Sequence, residues 1–186
     1  MRPYSALFII SAWALFVLTV RPVFALGPPE ASAPAAPVEY YLSYPGILPD
    51  HPLYKLKVAR ERIIAYFISD PQEKVNFYLK QADKGILATA MLVDKHNSKL
   101  AQTTALKAEH NMTLLSLELS NFEELPDQPL LDKLTTASLK HQEVLTSLLG
   151  RIPQNEHAVF QQVIDFSKRN LDQINSYRLT NLNDKQ

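Results

Sequence analysis

Along most of this chain apolar residues recur at spacings of four and three, the period at which a helix returns to the same face. One series runs Val75, Leu79, Ala82, Ile86, Thr89 and Val93 and is interrupted at His96-Asn97-Ser98. The next, Ala101, Ala105, Ala108, Met112, Leu115, Leu119 and Phe122, is small at one end and bulky at the other, which predicts closer approach of a neighbouring helix at the alanine end. After "LPDQPLL" a third series holds Leu131, Leu134, Ser138, His141, Leu145 and Leu148, with Gly150 expected as its C-terminal cap. Pro153 opens the last helix, expected from about Gln154 to Tyr177 with Phe160, Ile164, Ser167, Leu171 and Ile174 inward. No alternating run reads as a strand, and the whole chain has only 4 glycines. The expected fold class is therefore all-α: an antiparallel up-down bundle of about four long helices, preceded by a short docked helix.

That short helix is expected to begin near Asp50, whose carboxylate can cap it, with Pro52 in its first turn, and to end at Ser69. Asp70-Pro71-Gln72-Glu73 then supplies a cap, a proline and a glutamate for the next helix. Leu53, Leu56, Ile63, Ile64 and Phe67 need cover, so the helix should dock by them and leave Lys55, Lys57, Arg60 and Arg62 in solvent. Just upstream, Pro45-Gly46 suits a type II turn, and Tyr40, Tyr41, Tyr44 and Tyr54 are expected to pack their rings across the bundle as a clamp.

The N-terminus is different in kind. Arg2 precedes an uncharged run from Leu7 to Val20, ended by Arg21-Pro22 and followed by Val23-Phe24-Ala25. Fourteen residues are short for a span, and the small residues suit cleavage after Ala25, so residues 1–25 read as a signal peptide, or else as an uncleaved N-terminal anchor. Residues 26–39, "LGPPEASAPAAPVE", read as a disordered Pro/Ala-rich spacer, 40–178 as the bundle and 179–186 as a disordered tail. The expected location is extracytoplasmic: secreted, periplasmic or tethered on the outer face of a membrane.

Charge and chemistry narrow the picture. Nineteen basic residues balance 19 acidic ones, and removing residues 1–25 takes only Arg2 and Arg21, leaving 17 against 19. Nucleic acid is thus not an expected partner. With no cysteine there are no disulfides, thiolate nucleophiles or Cys-ligated metals. No Gly-x-Ser-x-Gly elbow or phosphate loop occurs, and the acid pair Glu123–Glu124 reads as solvated surface, so no enzyme and no catalytic residue is expected. Asn111-Met112-Thr113 matches a glycosylation sequon, but Met112 lies on a helix seam.

Histidine offers one alternative. His141 and His157 both fall on seams, and with His110 they sketch an extracytoplasmic metal-handling bundle. Against it, the first two should stand about 15 Å apart along an antiparallel hairpin, and no Glu-x-x-His pair occurs. No cofactor or metal is expected. The basic cluster Lys55, Lys57, Arg60 and Arg62 reads as a solvated helix face, or as a site attracted to anionic lipid or wall polymer.

"YYLSYPGILPDHPLYKLKVARERIIAYFISDPQEKVNFYLKQADK", residues 40 to 84, resembles a family of exported bacterial helical proteins known as a domain of unknown function, with a YPGILPDxPLYxLK signature. The resemblance implies a bacterial extracytoplasmic helical domain and brings no activity, cofactor or catalytic residue. The functional expectation is a non-enzymatic envelope or secreted interaction or structural module, whose partner is an envelope protein or polymer. Any membrane attachment is expected only through an uncleaved N-terminal segment.

Overall fold

The computed structural model describes residues 36–124 and 126–183; the segment expected to be a signal peptide or anchor, and the expected spacer up to residue 35, lie outside them. Five helices follow a strap of extended chain and turns: α1 (Tyr54–Phe67), α2 (Pro71–Asp94), α3 (Ser98–Leu119), α4 (Gln128–Leu148) and α5 (His157–Asn183). Among the described residues there is no strand.

Local chemistry sets the boundaries. Asp70 accepts from Glu73 N–H at 2.7 Å, and Asp127 from Leu130 N–H at 3.0 Å, each followed by a proline in the first turn, where its missing N–H leaves nothing unpaired. Asn97 caps α3 after His96 takes a left-handed φ of 56° to end α2. Gly150 is not the left-handed cap the sequence predicts. It lies inside a short 3-10 turn, Leu149–Arg151, that continues α4, and a second such turn, Gln154–Glu156, precedes α5. Helix α5 also continues past Tyr177 to Asn183.

Helices α2 to α5 form the bundle, and almost every seam position is buried as expected. Leu79, Ile86, Met112, Leu115, Leu134, Leu145, Phe160 and Ile174 are all essentially inaccessible. Burying each such side chain contributes about 1.5–3 kcal/mol. The core has three layers. The first joins the start of α2 (Val75, Leu79) to the end of α3 (Leu115, Leu119), the start of α4 (Leu131, Leu134) and the end of α5 (Ile174). The third joins the opposite ends through Leu92, Ala101, Leu148 and Phe160. Helices α2 and α4 therefore run parallel, as do α3 and α5, while the α2–α3 and α4–α5 hairpins are antiparallel. The chain alternates up and down, but the connection from α3 to α4 crosses the bundle diagonally.

The taper read in α3 takes a specific form. A Cβ built on Gly85 would stand 2.6 Å from Ala108 Cβ, so α2 and α3 touch there almost backbone to backbone. The missing Cβ at Gly85 is what permits that approach to Ala108.

Candidate functional site

The strap starts on α4, where Val38 N–H donates to Glu143 Oε2 at 2.7 Å while Lys140 holds the other carboxylate oxygen. Docked chain thus begins within the last residues assigned to the spacer. Tyr40 then reaches α2, its hydroxyl donating to Asp83 Oδ2 at 2.9 Å, with Ser43 Oγ 3.4 Å from the same oxygen. Burial, then the charge of Asp83, pushes the Tyr40 phenol well above its ordinary pKa. The strap turns at Gly46, whose φ of +67° is what a type II turn requires at its third position, and an added Cβ there would meet nothing. Asp50, expected to cap α1, instead pairs with Lys95 at the end of α2 at 2.7 Å. Leu53 stands at the N-cap of α1, and its N–H donates to His51 Nδ1. The tyrosine clamp is half realised: Tyr40 packs on the first core layer and Tyr54 is partly covered, but Tyr41 and Tyr44 are 98% and 70% exposed.

The largest departure from the sequence reading is the orientation of α1. Leu53, Leu56, Ile63, Ile64 and Phe67, expected to dock, are all exposed, as is Tyr66. The inward side carries the polar pair Lys57 and Glu61 beside Tyr54, Val58 and Ala65. Lys57 Nζ donates to Pro45 O at 2.8 Å and Ile47 O at 3.3 Å, and stands 3.9 Å from Glu61, which lies equally far from Lys84 on α2. Burial pulls the Lys57 ammonium below its ordinary pKa, with Glu61 working against that shift. The lysine expected in solvent is thus the one that fastens the helix. The reason is local: Lys57 finds two strap carbonyls and a carboxylate, and a charge so placed cannot turn outward without leaving those acceptors unpaired. Between α1, α2 and α3 remains a groove of about 440 Å³, lined among others by Tyr54, Val58, Glu61, Phe77, Lys84 and His110.

At the centre of the bundle lies a second polar feature. His141 on α4 is fully buried, with Nε2 2.9 Å from Asp83 Oδ1 on α2 and Nδ1 3.5 Å from Glu109 Oε1 on α3. Burial favours the neutral ring, but the two carboxylates outweigh it and raise the pKa to about 9. At neutral pH the ring is an imidazolium between two acids. The contact to Glu109 is an ion pair without an aligned hydrogen bond. Glu109 is held instead by Asn170 on α5, whose amide donates to Glu109 Oε2 at 2.9 Å and to its backbone carbonyl at 3.0 Å, while Thr113 donates to the Asn170 oxygen. A chain of contacts thus runs from Tyr40 through Asp83, His141 and Glu109 to Asn170, touching the strap and all four bundle helices.

The three histidines of the metal alternative lie in separate places. His141 has a carboxylate against each ring nitrogen, His157 Nε2 lies 3.3 Å from Ile152 O, and His110 lines the groove. Among the described residues no group of three or more metal-ligating side chains could hold an ion. Glu123 and Glu124 are exposed, and Asn111 donates to Lys107 O on the groove wall. Asp83 escaped sequence reasoning, since it sits beside the seam residue Ala82. A histidine on the seam of α4 was the signal that a polar partner must face it.

No curated protein and no solved structure matches the chain significantly. Residues 46–155, from the Gly46 turn to the 3-10 turn just before α5, match the family described as Domain of unknown function (DUF5667). That bears out the resemblance read from residues 40 to 84, and the chain belongs to the DUF5667 family.

Proposed function

We propose that this chain is a non-enzymatic helical interaction module, exported by a bacterium and working in or at the cell envelope, with α1 and the strap as its working surface. The observation that carries the reading is the outward stripe of Leu53, Leu56, Ile63, Ile64 and Phe67, which the fold does not use. A contiguous exposed apolar surface on a soluble domain marks an interaction site. The bundle behind it is a rigid base, and the buried pair of Asp83 and His141 fixes where the strap lies. Export is supported by the N-terminal sequence alone, with its uncharged run and small-residue cleavage site.

The test is in-cell photocrosslinking from position 67, with position 139 on α4 as the control. The expected outcome is light-dependent adducts, protein or lipid, from position 67 and none from 139. Equal or absent labelling at both positions would defeat the proposal. Fractionation of cells tests location separately: recovery of the full chain in the cytoplasm would overturn export.

A further inference from the structure

We infer that the outward face of α1 docks on an anionic lipid surface, lying in the plane of the interface without crossing it. The inference rests on the interaction-module reading and names its partner. It differs from the sequence expectation, which allowed membrane contact only through the N-terminal segment.

The geometry begins with length. Helix α1 has 14 residues, about 21 Å at 1.5 Å per residue, too short to span, and no described helix is long and apolar enough to cross a membrane. A helix lying in the interface needs an apolar face to bury among acyl chains, a basic margin to meet phosphates, and a polar opposite face. Helix α1 has all three. At 100° per residue Leu53, Leu56, Ile63, Ile64 and Phe67 share one side, with exposed Tyr66 at its margin, the place an amphipathic ring occupies in a headgroup layer. Arg60 is exposed within that side, while Lys55 and Arg62, also exposed, flank it beyond Tyr66, Arg62 lining the groove as well; among the described residues none of the three is ion-paired. Their alkyl stems can lie along the apolar surface while the charged ends reach outward.

No acid shares this face. Glu61, the helix's one carboxylate, points inward to Lys57 and Lys84. Asp70 and Glu73 lie beyond the helix, in the cap of α2, where Asp70 accepts from the Glu73 backbone N–H. Among the described residues, three cations without an ion pair thus lie within or flank this apolar stripe, in a chain otherwise balanced at 19 basic and 19 acidic residues. That is complementary to a negative surface rich in hydrocarbon. A second copy of the chain fits less well, because a two-fold contact through this face would set Lys55, Arg60 and Arg62 against themselves.

The experiment uses the full chain with its single tryptophan, Trp13, changed to phenylalanine and a reporter placed by Phe67→Trp. A second protein carries the reporter by Leu139→Trp on α4. Each is mixed with vesicles of brominated phosphatidylglycerol or brominated phosphatidylcholine. Because quenching is read at one side chain, any binding by the N-terminal segment does not mimic it. The expected result is a blue shift and quenching at position 67 in phosphatidylglycerol only, with none at position 139. Changing Lys55, Arg60 and Arg62 to glutamine should weaken association at position 67 about fivefold per charge, with the same melting temperature. A reporter at 67 quenched no more than that at 139 overturns the inference, as does a concentration-dependent blue shift without lipid, which would mean a second copy. If position 67 is unquenched yet still forms protein adducts in cells, lipid docking fails while the interaction-module reading stands.

Discussion

Asp83 Oδ1 lies 2.9 Å from His141 Nε2 at a point where both side chains are almost wholly out of contact with solvent. The other oxygen of the same carboxylate receives the Tyr40 hydroxyl, so one acid couples the strap to the centre of the bundle. Removing one partner of such a pair strands the other without its counter-ion. Asp83→Asn should therefore lower unfolding free energy by about 3–5 kcal/mol, the range for breaking a buried ion pair. Urea titration by circular dichroism reads it. A loss under about 1 kcal/mol would mean that the carboxylate does not hold the histidine in solution.

Stability should also depend on pH. His141 titrates at about 9 in the folded chain against 6.5 as a free side chain, so the folded state binds the proton more tightly. The contribution is complete below pH 6.5 and is lost as pH rises through 9, amounting to about 3 kcal/mol over that window. Denaturant midpoints between pH 6 and 9.5 should fall accordingly, staying below the range where Tyr40 ionises. In His141→Gln the slope should flatten. An unchanged slope would place the titrating group elsewhere.

Tyr40→Phe isolates the strap. The ring still packs on the first core layer, but Asp83 Oδ2 keeps only Ser43 at 3.4 Å. The loss should be about 1–2 kcal/mol, as for one hydrogen bond to a charged group. Limited proteolysis should then cut residues 36–46 sooner while the bundle fragment survives. Simultaneous cutting of strap and bundle would show that the strap does not open separately.

These three substitutions also mark where sequence reading succeeds and where it stops. The seams of α2 to α5 were legible because each is a one-dimensional pattern, and a residue such as Leu134 has to be buried whatever its partner. The polar centre was half legible: a histidine on a seam announces a buried partner, but Asp83 and Glu109 are 26 residues apart on different helices, and only packing unites them. Helix α1 was misread because periodicity shows that a face is apolar without showing whether the fold covers it. Lys57 decided that question through two strap carbonyls that no spacing rule connects to it.

Gly85 tests the closest approach in the bundle. Its Cβ would meet Ala108 Cβ at 2.6 Å, with Ala108 Cα at 3.2 Å behind it, so neither atom can swing aside. Gly85→Ala should destabilise by about 1–3 kcal/mol despite the better helix propensity of alanine. Ala108→Gly in the same chain should recover part of that loss, giving a coupling energy of at least about 0.5 kcal/mol in a double-mutant cycle. Strictly additive effects would mean that the helices are farther apart than this.

The stripe on α1 yields the opposite expectation for residues that look, in sequence, like core. Ile63 and Phe67 are 59% and 74% exposed, so Ile63→Ser with Phe67→Ser removes no buried contact and should change unfolding free energy by less than about 0.5 kcal/mol. Had the two side chains been docked, as their spacing predicts, the same pair would cost roughly 4 kcal/mol or more. The difference is large enough for a single denaturation curve to decide. An unchanged midpoint, together with loss of quenching at a reporter moved to position 64 by Ile64→Trp, would separate what α1 does for partners from what it does for the fold. A collapse of stability would instead show that the apolar side of α1 turns inward in solution, and the surface proposed for lipid would not exist.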